Sequence, residues 1–262
     1  MQTLDLGDHT ALIHVNGPED GPCVMFANSL GTDLRVWDQL VPLLPQSWRV
    51  VRYDKRGHGL SDCPNGPYKI ETLAQDAAAI ADGLGLRDIT FVGLSIGGLI
   101  GQELALVRPD LLKSLVLMDT AAKIGTPTLW QDRIAALRQD GLLAMSDAIL
   151  MRWFTPAYQN QPALLAPWRN MVARTPLEGY LACCHALAEA DLTHRIGALR
   201  LPILALVGAQ DLATTPALVR ATAAICSADY HEIQGAGHLP CVEAPQETAR
   251  LIVQFVKEQH HV

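Results

Sequence analysis

Short apolar runs of strand length alternate with longer stretches of helical periodicity along most of this chain. Runs that predict strands lie at 23–27, 48–53, 89–92, 114–118, 202–208 and 230–233. Apolar residues at helical spacing follow most of them, at 37–44, 70–84, 96–108, from 216, and in a last segment that ends near 256. Strands that alternate with helices predict an α/β fold with a mostly parallel, doubly wound sheet. Residues 4–15 alternate partly and carry Gly7-Asp8, which predicts a hairpin before that sheet.

The alternation stops between Asp119 and about Arg195. Only helical periodicity is present there, at 129–137, 142–154, 163–172 and 177–188. We therefore expect a core formed by residues 1–122 and 196–262, with a helical cap, residues 123–195, inserted between two strands.

The segment from Ile89 to Gly101 carries the strongest chemical signal. Four β-favouring residues lead into Gly93-Leu94-Ser95-Ile96-Gly97, and helical periodicity continues afterwards. A G-x-S-x-G between a strand and a helix predicts a nucleophile elbow, in which the Ser95 hydroxyl is exposed on a strained turn. The glycines would let the strand and the helix pass closely. A glycine-rich turn with a solvent-facing serine is the alternative.

A serine hydroxyl is a weak nucleophile at neutral pH and needs a general base that is itself oriented by an acid. Ser95, Asp211 and His238 occur in the order that a nucleophile elbow requires, and each follows a predicted strand. Asp119 also follows a strand and is the rival for the acid.

Among the other histidines, His58 is expected to be structural in its Arg-Gly-His-Gly loop. The pair at 260 and 261 is expected to form a frayed tail.

Acyl transfer also requires two donors for the oxyanion of the tetrahedral intermediate. The Ile96 amide is one candidate, because it opens the helix after Ser95 and the positive end of the helix dipole lies there. The Leu30 amide, in the Asn28-Ser29-Leu30-Gly31 loop after an early strand, is the other. That loop lacks the His-Gly often found at this place, so an ordinary strand-to-helix turn is the alternative.

Composition and net charge limit the classes of partner that we expect for this protein. The chain has 262 residues, 49% of them hydrophobic, which suits one domain with an insertion. A formal net charge of −7 makes nucleic acid and anionic membranes poor partners and favours a small molecule. Neither a leader-like start nor a bilayer-length apolar run is present, so we expect a cytoplasmic protein. The six cysteines show no zinc spacing, so we expect reduced thiols and no structural metal.

At this point the sequence resembles the α/β-hydrolase superfamily and, more narrowly, the 3-oxoadipate enol-lactonases. The resemblance runs nearly end to end. It rests on the elbow, on Gly237-His238-Leu239, and on three more discriminating segments: Asn28-Ser29-Leu30-Gly31-Thr32, Thr120-Ala121-Ala122-Lys123-Ile124-Gly125 and Arg152-Trp153-Phe154-Thr155-Pro156.

This resemblance implies an α/β-hydrolase fold and hydrolysis of 3-oxoadipate enol-lactone to 3-oxoadipate in the degradation of aromatic compounds. The chemistry needs no cofactor. A lactone with a free carboxylate would need a cation in its pocket, for which Arg133 and Arg152 are candidates; surface roles are the alternative for both. Trp130 and Trp153 could line the pocket or pack in the core.

Three other functions remain open at this stage. A general carboxylesterase or lactonase, or a cofactor-free perhydrolase, would use the same triad. A ligand sensor that turns over slowly and signals through cap movement belongs to a different class. No sequence pattern indicates the oligomeric state or distinguishes the protocatechuate branch of the pathway from the catechol branch.

Overall fold

Strands from most of the length of the chain form one sheet, and the loops that follow them carry the candidate residues. The computed structural model describes residues 1–260, and within them the sheet has eight strands in the order β1-β2-β4-β3-β5-β6-β7-β8. The strands are β1 Gln2–Asp5, β2 Thr10–Asn16, β3 Cys23–Ala27, β4 Arg49–Tyr53, β5 Ile89–Leu94, β6 Leu112–Met118, β7 Ile203–Gly208 and β8 Asp229–Ile233. β1 and β2 form the antiparallel hairpin, and β2 also pairs antiparallel with β4.

The remaining strand pairs are parallel, as the alternating pattern predicts. Parallel strands end at the same edge of a sheet, so the loops after β3, β5, β7 and β8 meet there. β5 lies between β3 and β6 and is fully buried.

Helices connect these strands and cover the sheet. They are α1 Ile70–Gly83, α2 Ile96–Val107, α3 Pro127–Trp153, α4 Pro156–Gln159, α5 Pro162–Arg174, α6 Leu177–Glu189, α7 Pro216–Cys226, α8 Pro240–Glu243 and α9 Pro245–His260. No helix among the described residues is both long enough and apolar enough to cross a bilayer. The six cysteines are free thiols, and Cys63 is the exposed one.

Four helices, α3 to α6, lie between β6 and β7, where the sequence predicts a helical insertion. The two helices predicted at 129–137 and 142–154 both fall within α3. Gly141 interrupts them with a φ of 76°, a backbone conformation that ordinary helices do not contain. The division into a core (1–122 and 196–262) and a cap (123–195) stays a prediction.

The helix expected at 37–44 is a correction. Two short 3₁₀ helices, Leu34–Trp37 and Val41–Leu43, occupy this region instead. Pro42 in the second one has no backbone N–H to donate, so a continuous α-helix through it would lose a hydrogen bond.

The C-terminal histidines are a second correction. α9 continues to His260, whose Nε2 lies 3.4 Å from Oγ1 of Thr90, so this residue belongs to an ordered helix rather than to a frayed tail. Residue 261 lies outside the described residues.

The turn between β5 and α2 depends on backbone contacts that exclude side chains. A Cβ at Gly93 would lie 2.2 Å from the Gly97 carbonyl oxygen, and a Cβ at Gly97 would lie 2.2 Å from the carbonyl oxygen of Ala27. Neither backbone oxygen can move without shifting its strand or helix. These two glycines therefore hold α2 against β3 and β5.

Gly97→Ala is expected to lower the free energy of unfolding by about 1–3 kcal/mol, because the methyl group would push α2 away from β3. Gly83→Ala is the matched control, since its Cβ would meet only the flexible end of the Leu4 side chain. Urea denaturation of both variants measures the difference. Equal stabilities would show that the elbow tolerates a side chain at position 97.

Candidate active site

Ser95 occupies the turn that links β5 to α2. Its φ and ψ are 57° and −117°, a strained conformation for a residue with a side chain. The surrounding backbone holds this conformation: the Ser95 N–H donates to the Met118 carbonyl at 2.9 Å, and the Thr120 hydroxyl donates to the Ser95 carbonyl at 2.6 Å. The side chain is 7% exposed and lines a cavity. This is the geometry of a nucleophile elbow.

His238 and Asp211 form a buried pair beside Ser95. Nδ1 of His238 lies 2.8 Å from Oδ2 of Asp211. Burial raises the pKa of Asp211, but the charge and hydrogen bond of His238, with hydrogen bonds from Thr214 and Ala213, outweigh it and hold the pKa below its usual range. An ionised carboxylate can only accept, so Nδ1 carries the proton and Nε2 is the basic nitrogen.

Asp119 lies close to this pair but differs from Asp211 in its hydrogen bonds and in the direction of its pKa shift. Its Oδ1 accepts the Gly208 N–H at 2.9 Å, and its Oδ2 is buried without a hydrogen-bond partner in the described chain. Burial, and then the negative charge of Asp211, raise its pKa well above the ordinary value. The neutral form of Asp119 is therefore favoured, and Asp211, whose pKa is lowered, is the carboxylate that can orient His238.

These three residues are also the group whose ligand atoms could approach a metal ion, since the atoms lie within 4.8 Å of one another. A metal there would have to displace the proton of His238 Nδ1 and the proton of Asp119. The protonation states favour a hydrogen-bonded cluster over a metal site.

The basic nitrogen of His238 faces the same cavity as Ser95. Within residues 1–260 no hydrogen bond joins its Nε2 to the Ser95 hydroxyl, and Ser29 Oγ lies 3.5 Å from this nitrogen. Such bonds are often long before substrate binds. Ser95 and His238 thus line one cavity, and Asp211 is joined to them through its hydrogen bond to His238.

The predicted oxyanion donors flank this cavity. Leu30 lines it together with Ser95, and its N–H donates to no acceptor within residues 1–260. Ile96 is the first residue of α2, where a helix leaves its N–H groups without intrahelical partners. The Gly31 N–H donates to Nε2 of His58 at 3.0 Å, so the buried His58 fixes the Leu30 loop, a structural role as expected.

The cavity has a volume of about 210 Å³, a size for a small molecule rather than a polymer. Residues of the helical insertion also line it, among them Trp130, Arg133, Arg152, Trp153 and Tyr180. Trp130 and Trp153 are buried and also belong to the core, so both roles considered for them apply.

Arg133 and Arg152 reach the cavity from opposite ends of α3. Arg133 stacks on the Trp130 ring at 5.7 Å, and Arg152 Nη2 donates to the Leu212 carbonyl at 3.2 Å. Among the described residues neither forms an ion pair with a carboxylate. Burial, and then the charge of Arg133, lower the pKa of Arg152. Two guanidiniums without a carboxylate partner within residues 1–260 give the cavity a positive charge that would favour an anionic group.

Comparison with known proteins agrees with this geometry. The family model described as the alpha/beta hydrolase fold matches residues 22–245. The chain belongs to the α/β-hydrolase family.

Several proteins that are similar to this hydrolase are named enol-lactonases. It is 38% identical over 234 residues to 3-oxoadipate enol-lactonase 2 of Acinetobacter baylyi, covering 88% of this chain and 86% of that one. It is 32% identical over 249 residues to 3-oxoadipate enol-lactonase 1 of the same organism, covering 95% and 93%. The crystal structure of the enol-lactonase from Burkholderia xenovorans LB400 aligns with a TM-score of 0.94 at 36% identity, covering 98% of this chain and 100% of that one.

One residue that holds the His238 loop in place has no motif in the sequence. Glu243 accepts the Thr155 N–H and hydroxyl on Oε1, at 3.0 and 2.6 Å, and the Gly237 N–H on Oε2 at 2.8 Å. Beside it the His238 N–H donates to the Trp153 carbonyl at 2.7 Å. Glu243 thus ties the His238 loop to the end of α3. Thr214 was also missed, although its place three residues after Asp211 is that of a local side-chain-to-backbone turn.

The different states of the two aspartates predict different mutant effects. Asp211→Asn is expected to lower kcat by about 10⁴-fold, because the amide would favour the wrong tautomer of His238. Asp119→Asn replaces one neutral group by another and is expected to change kcat by no more than about threefold. Steady-state kinetics on an activated ester decides between them, and a large loss from Asp119→Asn alone would reverse the assignment of the acid.

Proposed function

We propose that this hydrolase opens 3-oxoadipate enol-lactone through an acyl-enzyme on Ser95. The observation that carries this proposal is the placement of Arg133 and Arg152, without carboxylate partners among the described residues, in the cavity that Ser95 and His238 line. That cavity offers both a nucleophile and cations. A small lactone with an anionic arm matches both features, and the enol-lactonase names of the relatives support it.

In the proposed reaction His238 Nε2 removes the proton of Ser95 as Oγ attacks the lactone carbonyl. The Leu30 and Ile96 N–H groups hold the resulting oxyanion. Collapse of the tetrahedral intermediate breaks the ring C–O bond, and the leaving enol oxygen takes the proton from His238. The enol becomes a ketone by tautomerisation, which disfavours ring closure. Water, deprotonated by His238, then attacks the acyl-enzyme. The bond between the acyl carbon and Ser95 Oγ breaks, Oγ takes the proton from His238, and the diacid is released.

No step requires a cofactor, because the serine supplies the nucleophile and the histidine moves each proton. The proposed partner is a small carboxylate-bearing lactone. We also propose that this reaction takes place in the cytoplasm.

Ser95→Ala is expected to lower kcat for the enol-lactone on the order of a millionfold, because the nucleophile is lost. The assay compares kcat/KM of the wild type on the enol-lactone, simple aryl esters, neutral lactones and a peracid-forming reaction. A preference for aryl esters would favour a general esterase, and dominant peracid formation would favour a perhydrolase. Turnover far below about 1 s⁻¹ on every substrate, with a ligand-dependent protein partner, would favour a sensor.

Arg133→Met and Arg152→Met are each expected to raise KM for the enol-lactone about tenfold, because a charge-assisted hydrogen bond to its carboxylate is lost. KM for the neutral ester phenyl acetate is expected to change by less than about twofold. Arg138→Met is the matched control, since Arg138 is an exposed residue of the same helix. Equal changes for the charged and neutral substrates would contradict the assignment.

A further inference from the structure

A buried lysine contacts the back of the Leu30 loop. Lys55 is 2% exposed, and its Nζ donates to the Ser29 carbonyl at 2.6 Å and to the Thr32 carbonyl at 3.3 Å. Among the described residues it forms no ion pair with a carboxylate. A buried ammonium whose acceptors are backbone carbonyls is unfavourable for stability, which points to a role beyond holding the fold together.

The Ser29 carbonyl receives more donors than a backbone oxygen ordinarily accepts. Besides Lys55, it accepts the Thr32 N–H at 3.2 Å and the Thr32 hydroxyl at 3.0 Å. A carbonyl oxygen has two lone pairs, and here three donors, one of them charged, surround it. This concentration of positive potential acts on a single peptide group.

That peptide group joins Ser29 to Leu30, so its N–H is the Leu30 N–H that we assign to the oxyanion. The C–N bond of a peptide has partial double-bond character. A cation on the oxygen therefore draws electron density from the nitrogen and makes the N–H a stronger donor.

We propose that Lys55 is a positioning residue, which orients and polarises the Ser29–Leu30 peptide so that the Leu30 N–H stabilises the oxyanion. This inference rests on the proposed acyl transfer at Ser95, but not on the identity of the lactone. Lys55 itself lines no part of the cavity and acts through the peptide.

The charge of Lys55 predicts a signature in the pH profile. Burial lowers its pKa to about 8, partly offset by Cys183, Asp54 and Asp33. Burial raises the pKa of Cys183 to about 12, and burial together with the charge of Lys55 lowers that of His58 well below its ordinary value. Burial also raises the pKa of Asp54, partly offset by hydrogen bonds from the Leu60 and Leu34 N–H groups. Loss of the ammonium is thus expected to lower kcat as pH rises through about 8.

The experiment measures kcat and KM for p-nitrophenyl acetate between pH 6 and 10 in the wild type, Lys55→Met, Thr32→Val and Lys113→Met. Methionine keeps the unbranched shape without the charge. Valine keeps the branched shape of threonine without the hydroxyl. Lys113 is an exposed residue of β6 and serves as the control.

For Lys55→Met we expect kcat about tenfold lower at pH 7 with KM within about twofold, and no decline of kcat near pH 8; complete loss of an oxyanion donor lowers kcat about 10²–10³-fold. Thr32→Val is expected to lower kcat less and to keep the decline, because the ammonium remains. Lys113→Met is expected to match the wild type. If Lys55→Met does not fold, the pH profiles of the wild type and Thr32→Val still test the inference.

An unchanged kcat in Lys55→Met, or a wild-type kcat that stays level through pH 8–9, overturns the role of Lys55 while the serine mechanism stands. Loss of the enol-lactone reaction with retained ester hydrolysis refutes the proposed substrate while the role of Lys55 is still tested. If Ser95→Ala keeps full ester hydrolysis, both proposals fail.

Discussion

The close approach of α2 to the strands β3 and β5 is the constraint on which the site depends. The backbones touch at Gly93 and Gly97, so Ser95 is held between them in a conformation that a looser turn would relax. The same approach brings the end of β3, and with it the Leu30 loop, beside the start of α2. A nucleophile and two potential oxyanion donors therefore follow from one packing contact.

The ionisable groups of the site differ in their pKa shifts and in where they lie relative to the cavity. Asp211 and Asp119 are both buried carboxyl groups, yet hydrogen bonds and His238 lower the pKa of the first, while burial and the neighbouring charge raise the pKa of the second. Ionising both of two adjacent carboxyl groups has a high free-energy cost where little water reaches them. On the positive side, Lys55 lies behind the Leu30 loop, and the guanidiniums of Arg133 and Arg152 line the cavity itself.

The helices between β6 and β7 cover the site and are also hydrogen-bonded to the loop that carries His238. The Trp153 carbonyl accepts the His238 N–H, and Glu243 binds both Thr155 and Gly237. A shift of the end of α3 would therefore move the loop that carries His238. This coupling places the substrate-facing residues of α3 and the proposed general base in one hydrogen-bonded unit.

The sequence by itself determined the strands, most helices and the elbow, because these depend on local periodicity and on glycines that the turn geometry requires. It also placed Ser95, Asp211 and His238 in the order expected of this fold. It misplaced the helix at 37–44, where Pro42 favours 3₁₀ turns, and it treated His260 as a tail, although contact with Thr90 orders that turn. Only the tertiary structure decided the charge states of Asp119 and Asp211, the contact of Lys55 with Ser29, and the link through Glu243. These depend on burial and on contacts between residues far apart in the sequence, such as Lys55 and Ser29, 26 positions apart, and Glu243 and Thr155, 88 positions apart, which no local pattern encodes.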